Sequence, residues 1–474
     1  MYEVNLSARS VGPFMELVGT DRVYAIMREA EALRGVLGSR AVWNINSTSI
    51  GGGVAEMLRP LSRYARGLGI HARWLVVEGP PEFFRITKRL HNALHGARGD
   101  GSCLGRKQAV LYDRVMHQNF VALDTLVRPN DVVICHDPQT AGLVPHLIKL
   151  GARVVWRCHI GHERHDEEVD YGWAFLRPYL EHVPIAVFSR RAYAPAWLDA
   201  RRAVVLTPSI DPFSAKNQEM DEATARAILS EVGLIDAPPS PGTPIFLRDD
   251  GSIGCADQPA EVVRLGRAPS WDTPLVTQVS RWDRMKDPLG VLQGFARIIT
   301  PDVPGGPQLV LAGPNVRALA DDPEGADVFA EVEGAWRDLP ASLRRFVHLA
   351  ALPMDDIEEN AAIVNALQRH SAVVVQKSLQ EGFGLTVTEA MWKRRPVVAS
   401  AVGGIQDQIR DGVDGLLVHN PADLDEFARV LTRVLEDHAL ARRLGAAGHQ
   451  HVREHFLSIT ALENWAKLVG QLVS

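Results

Sequence analysis

The chain is short of cysteine, of net charge and of long apolar runs, and each shortage removes a class of protein. Only four cysteines occur in 474 residues, Cys103, Cys135, Cys158 and Cys255, and none forms a C-x-x-C pair. That excludes a disulfide scaffold and points to a reducing compartment. The formal net charge is −6, so no broad basic field exists for nucleic acid or an anionic membrane. Charge on a substrate has to be met by a few placed cations. No apolar run is long enough to span a bilayer, and Met1 to Ser10 lack the basic start and apolar core of a signal peptide. The expected setting is the cytoplasm. A Walker G-K-[ST] sequence, an H-E-x-x-H pair, repeats of solenoid period and low-complexity tracts are also missing.

What is present is enough apolar sequence for more than one core: 46% apolar against 23% charged residues, over a length beyond one ordinary domain. Short β-branched runs alternate with helical patterns, as a parallel sheet covered by helices requires. Strands are expected at residues 41–46, 72–77, 131–135, 153–158, 185–188 and 203–206. A second series falls at 275–279, 308–312, 345–349, 372–376, 396–399 and 415–418. Helices are expected at 54–68 and 139–150, with Gly69 and Gly151 beyond them as stops, and at 21–33 after a lead-in strand. Pro288 behind Asp287 reads as proline in the first turn after an N-cap. The fold class is therefore α/β, with two doubly wound domains. The boundaries expected are 1–208, joined by the C-terminal helix 459–474, and 209–458. Residues 207–244, rich in Pro and Ser with a helical insert at 221–233, read as the linker.

In such sheets ligands sit outside the carboxyl ends of strands, which selects the loops that could do chemistry. The first is Asn46-Ser47-Thr48-Ser49-Ile50-Gly51-Gly52-Gly53. Its glycines let backbone approach a ligand at a helix N-terminus, and a tight strand-to-helix turn is the plainer alternative. The second runs from Ser280 to Asp287. Arg281 and Lys286 there could hold and neutralise a diphosphate, or could be two solvated cations. The third runs from Gln376 to Glu389. Thr386 and Glu389 fit a capping box, giving Glu389 a structural role to set against a binding one. Glu381, ahead of Gly382-Phe383-Gly384, has no such role and can accept hydrogen bonds from sugar hydroxyls, while the N–H groups of Leu385 and Thr386 can meet a phosphate.

Glu381 and Glu389, spaced E-x7-E after a glycine-flanked Phe, resemble the signature of retaining glycosyltransferase family 4, of the two-domain GT-B fold with a deep interdomain cleft. The Arg281/Lys286 pair is similar to that family's diphosphate clamp. Within the family, Asn46-Ser47-Thr48, the segment from Gly51 to Leu58, Trp156-Arg157-Cys158-His159-Ile160, Pro208-Ser209-Ile210-Asp211-Pro212, Gln376-Lys377-Ser378 and Glu389-Ala390-Met391-Trp392 resemble the nucleotide-sugar-dependent trehalose synthases. These matches run from about residue 40 to 420. One position departs: Gly161, where those synthases carry an acidic residue.

The resemblance implies reversible glucosyl transfer from ADP- or UDP-glucose to glucose, giving α,α-trehalose with retention. Attack would be front-face, without the carboxylate pair that a retaining glycosidase uses to form a covalent intermediate. It implies that Arg281 and Lys286 bind the diphosphate and that Glu389 holds the ribose. Glu381, with the backbone of Gly382, Phe383 and Gly384, would contact the donor sugar. Leu385, Thr386, Gly52 and Gly53 would complete the donor site, and residues 349–353, Leu352 among them, would border the base through backbone atoms. His159 is placed near the donor glucose, with Asp137 and Gln139 on the acceptor. Lys88, His91 and Asn92 are a further acceptor candidate, equally readable as a solvated helix face. No tightly bound cofactor is implied; Mg2+ would at most stimulate, since no motif ligates it. The partners implied are small sugars, with no nucleic acid or membrane, and a second copy of the chain. A trehalose phosphorylase, a GT-B sugar-nucleotide epimerase and a non-catalytic sugar-binding protein are the rival readings.

Two clusters are discounted. Cys158, His159, His162 and His165 lack a second ligand pair at zinc spacing. His91 and His95 share a helix face without the Glu of H-E-x-x-H and read as a surface feature, as does the acidic stretch 321–333.

Overall fold

Short runs of Val, Ile and Leu become strands because β-branched side chains favour extended backbone. Strands covered by helices on both faces can be apolar throughout rather than alternating. The structure, a computed structural model, describes residues 1–49, 52–164, 166–238, 242–301, 305–316 and 323–473. The chain forms two units, Met1–Ser209 with Glu454–Ser474, and Ile210–Arg453.

The first unit holds β1 (Tyr2–Glu3), β2 (Val42–Asn46), β3 (Ala72–Val76), β4 (Val132–His136), β5 (Arg153–Cys158), β6 (Ile185–Phe188) and β7 (Ala203–Val205). Their order is β1-β3-β2-β4-β5-β6-β7. Only β1 is antiparallel to its neighbour. One sheet face packs on Trp43, Phe83, Tyr112, Trp156 and Trp173. The other packs on Leu33 and Leu37 and on Leu468, Val469 and Val473 of the helix Ser458–Val473. The end of the chain is thus part of this unit's core.

The second unit holds a hairpin of β8 (Ile245–Leu247) and β9 (Ile253–Cys255), then β10 (Glu261–Val263), β11 (Leu275–Val279), β12 (Gln308–Pro314), β13 (Val347–Leu352), β14 (Val373–Gln376), β15 (Val397–Ser400) and β16 (Leu416–Val418). The large sheet runs β10-β13-β12-β11-β14-β15-β16, parallel except at β10. The two small strands of the hairpin and β10 escape sequence reading because each is only three residues long and none is buried throughout.

Strand order reverses between β2 and β4 in the first sheet and between β11 and β14 in the second. At such a reversal the connecting helices leave to opposite faces, so the loops at the strand ends are left uncovered. The loops after β2, β4, β11 and β14 are the ones singled out from sequence.

Four expectations need correction. Residues 207–244 are not a free linker: Ala225, Ile228, Leu229, Leu234 and Ile235 join a core cluster with Ile363, Val364 and Leu367. Asn365 Nδ2 donates to the carbonyls of Ala215 (3.1 Å) and Gln218 (2.9 Å). Polar composition concealed an apolar helix face, Glu222–Glu231, and residues 239–241 lie outside the described residues. The helix expected at 139–150 starts as a 3-10 turn, Ala141–Leu143, and becomes α-helical at Val144–Leu150. Thr140 turns its hydroxyl back onto the His136 carbonyl (2.7 Å), and Pro145 suits a first helical turn. His95 is buried rather than surface, its ring 4.8 Å from that of His91. Of the acidic stretch, residues 321 and 322 lie outside the described residues; beyond them Val328 and Val332 are buried in the core.

No helix among the described residues is long and apolar enough to cross a membrane. Leu468, 5% exposed on the sheet, tests the terminal helix. Leu468→Ala is expected to destabilise the first unit by about 2–5 kcal/mol in urea unfolding. An unchanged unfolding midpoint would mean that the helix adds nothing to that core.

Candidate active site

At the carboxyl end of β11 the chain makes a sequence of local caps. Asp283 Oδ1 accepts from the Met285 N–H at 2.8 Å and sets the 3-10 turn Arg284–Lys286. Asp287, with φ of 49°, then caps the helix Pro288–Ala296 by accepting from the Gly290 N–H at 3.0 Å. This turn aims Lys286 at the loop after β14, where its Nζ lies 2.6 Å from Glu381 Oε1. The same oxygen accepts from Ser378 Oγ (2.9 Å) and Gln376 Nε2 (3.3 Å). Glu381 is buried, so two neutral donors and a cation compensate its loss of water. Arg281 stands on the same loop, half-exposed, 3.2 Å from Asp283 Oδ2.

Gly384, with φ of 85°, is the N-cap of the helix Leu385–Trp392. The N–H groups of Leu385 and Thr386 in its first turn meet no acceptor among the described residues, a geometry that suits an anion. The capping box is not formed. Thr386 lies inside the helix and its hydroxyl donates to Gln376 Oε1 at 2.9 Å. Glu389 is therefore no cap. It is 3% exposed, with Oε1 3.7 Å from Lys216 Nζ and Oε2 buried without a hydrogen-bond partner.

Lys216 and Lys393 were not found by sequence reasoning. The buried Lys393 ammonium donates to Gln368 Oε1 (2.8 Å), Asn217 Oδ1 (3.0 Å) and the Glu389 carbonyl (3.2 Å). Burial pushes it down to about 7. A lysine preceding Asn217 and a lysine ending a helix carry no local signal; only the fold puts them around Glu389. Phe383 and Leu352, both expected to meet the donor through backbone atoms, have buried side chains. The Phe383 ring is buried, and a side chain on Gly404 would meet it at 2.7 Å, so Phe383 shapes the loop by packing. Leu352 is buried and its carbonyl accepts from Asn315 N–H at 2.8 Å.

In the first unit the loops after β4 and β5 meet through two imidazoles. His136 Nε2 lies 3.0 Å from Asn44 Oδ1, and His136 Nδ1 lies 2.9 Å from His159 Nε2, with the rings stacked. With Asn44 Oδ1 accepting, His136 carries its proton on Nε2 and accepts on Nδ1. A neutral His159 then donates from Nε2 and keeps Nδ1 as an acceptor. Burial, helped by the Arg157 guanidinium, pushes His136 down to about 3 and holds His159 well below the usual imidazole range. Asp137, with φ of 61°, accepts from the His159 N–H at 2.7 Å. Burial raises it to about 7 against the pull of that hydrogen bond and of Arg157. Arg157, 1% exposed, donates to the Phe188 carbonyl (3.1 Å) and Ser189 Oγ (3.3 Å).

Asp137 and His159 are thus brought together, and Asp137 fixes the backbone that carries His159. Gln139 adjoins them with its Oε1 buried and unpartnered. Gly161 has a packing reason: a Cβ there would lie 2.3 Å from the Tyr193 ring, so no acidic side chain fits. Lys88, His91 and Asn92 lie along the helix Pro81–Leu94, with Lys88 exposed and the Asn92 amide against Gly99. Among the described residues no hydrogen bond joins Lys88 or Asn92 to Asp137 or His159. Gly52 (φ of 77°) and Gly53 open the helix Gly52–Gly67 as exposed residues, while Ile50 and Gly51 lie outside the described residues. Cys158 donates its thiol to the Ile160 carbonyl at 3.1 Å. Among the described residues no three His, Cys, Asp or Glu side chains converge on a metal position, and His165 lies outside them.

The His136 imidazole is buried neutral, so its folded-state pKa lies below its unfolded one. Stability tied to it is present above about pH 6.5 and is lost as the pH falls towards about 3. His136→Gln keeps an amide between Asn44 and His159 without a titrating ring. Its stability relative to the parent, measured by urea unfolding, is expected to rise as the pH is lowered through that window. A constant difference would reject the buried neutral ring.

The chain resembles known proteins along its whole length. Residues 44–195 match the family described as "Trehalose synthase, N-terminal domain", and residues 357–451 match "Glycosyl transferases group 1". The chain is 34% identical to the trehalose synthase of Pyrococcus horikoshii, across 100% of this chain and 99% of the relative. It is 35% identical to that of Rubrobacter xylanophilus across 94% of each. A solved α,α-trehalose-phosphate synthase (UDP-forming) from Burkholderia vietnamiensis superposes with a TM-score of 0.65 over 91% of this chain and 96% of that one, at 17% identity, which speaks for the GT-B fold. The chain is an enzyme that transfers hexosyl groups, and it belongs to the trehalose synthase family of glycosyltransferases.

Proposed function

We propose that the enzyme makes α,α-trehalose from a nucleoside-diphosphate glucose, ADP- or UDP-glucose, and glucose, reversibly and with retention. The observation that carries the nucleotide assignment is Glu389. It presents a buried carboxylate oxygen without a partner, on a helix whose open N-terminus adjoins the Lys286–Glu381 pair. A ribose hydroxyl donates to that oxygen, the diphosphate takes Lys286, Arg281 and the N–H groups of Leu385 and Thr386, and Glu381 accepts from the donor glucose. His159 Nδ1 and Gln139 Oε1 are acceptors for sugar hydroxyls. Asp137 acts chiefly by holding the His159 backbone.

The bond from glucose C1 to the diphosphate oxygen breaks as the acceptor hydroxyl attacks from the same face. Its proton passes to the departing phosphate oxygen, so no protein carboxylate need act as nucleophile. Once the diphosphate is bound, the cations and helix terminus hold the charge that develops on the leaving group. No tightly bound cofactor is part of this reading, and Mg2+ would act through the nucleotide.

The test is incubation with ADP-glucose or UDP-glucose and glucose, with products identified by NMR. α,α-Trehalose and free nucleoside diphosphate are expected. Trehalose formed only from glucose 1-phosphate, with phosphate released, would replace this reading by a phosphorylase. Glu381→Gln and Arg281→Ala are each expected to lower kcat/KM about a hundredfold or more, the scale of one lost charged contact in the transition state. Near-normal turnover of both variants would remove these residues from the site.

A further inference from the structure

The Lys286-bearing turn is held to the end of β14 by contacts that spare both Lys286 Nζ and Glu381. Lys377, 1% exposed, pairs its ammonium with the Asp287 carboxylate. Its N–H donates to Gln278 Oε1 at 3.1 Å, and Gln278 Nε2 donates in turn to the Lys286 carbonyl at 2.9 Å. The Leu379 N–H donates to the Met285 carbonyl at 2.7 Å. Asp287 therefore faces three ways: it caps a helix, it pairs with Lys377, and it sits in left-handed backbone, which a non-glycine residue keeps only when its surroundings hold it. Gly290 permits this, since a Cβ there would lie 2.1 Å from the Asp287 carboxylate.

Lys286 itself is committed to Glu381. A diphosphate arriving at Lys286 competes with that pair, so the pair cannot also be what fixes the turn. Glu381 keeps Ser378 and Gln376 as donors when Lys286 turns away. We propose that Lys377 is a positioning residue: its buried pair with Asp287 holds the turn in place while Lys286 passes from Glu381 to the diphosphate. The proposal rests on the nucleotide-sugar reading above.

Calorimetry on the full chain separates the two. The probes are ADP and UDP against AMP and UMP, which reach the Glu389 end of the site without a second phosphate. Lys377→Met is expected to weaken the diphosphates about tenfold or more, the cost of misplacing a charged contact by a fraction of its length, and the monophosphates less than about threefold. Asp287→Asn should give the same selective loss, so either variant suffices if the other does not fold. Lys377→Arg, which keeps the charge, should retain most of the diphosphate affinity. Equal losses for both ligand classes, or no loss in either variant, would overturn the positioning role while leaving the substrate reading intact. A parent enzyme that binds neither ADP nor UDP would reject the substrate reading and this role together.

Discussion

A carboxylate removed from water needs a cation or several donors, and Glu381 has both: Lys286 at 2.6 Å, with Ser378 and Gln376 beside it. That pairing exists only because β11 and β14 are neighbours at the point where strand order reverses, so two loops far apart in sequence end side by side. Much else in the second unit follows from keeping it in register. Asp283 and Asp287 cap successive turns, Gly290 gives way to a carboxylate, and Gln278 spans from one strand end to the other.

The two units use the same architecture for different electrostatics. In the second, lysines and arginines stand against carboxylates, an arrangement suited to a phosphate whose charge changes during reaction. In the first, burial, helped by the Arg157 guanidinium, depresses two imidazoles, and a desolvated Asp137 is raised to about 7. The result is a largely neutral chain of donors and acceptors, suited to hydroxyl groups. Desolvation sets this character, and the buried Arg157 guanidinium adds to it.

Much of the fold was legible because parallel strands are apolar throughout and their periods contrast with those of helices. The expected strands at 275–279 and 153–158 coincide with β11 and β5. Local chemistry was legible too: Asp287 before Pro288 is a helix cap in fact. The failures share one cause. The helix expected at 221–233 formed, but its packing into a core was hidden by polar flanks, and Glu389 could equally be read as a cap. Gly161 looked like an anomaly until Tyr193 was found against it. Each depends on what a distant segment places nearby, which no local pattern encodes.

By itself the sequence determined the α/β class, the alternation of strands and helices, and Glu381 as a residue with no better local explanation. Tertiary structure alone decided that Lys286 pairs with Glu381 and that Lys377 stands behind it on Asp287. It also decided that Lys216 and Lys393 surround Glu389, and that His136 sets the proton of His159. The physical reason is separation along the chain. Caps and strand periods are settled within a few residues, whereas buried charges and imidazoles acquire partners about 20 to 175 positions away only once the sheets have formed.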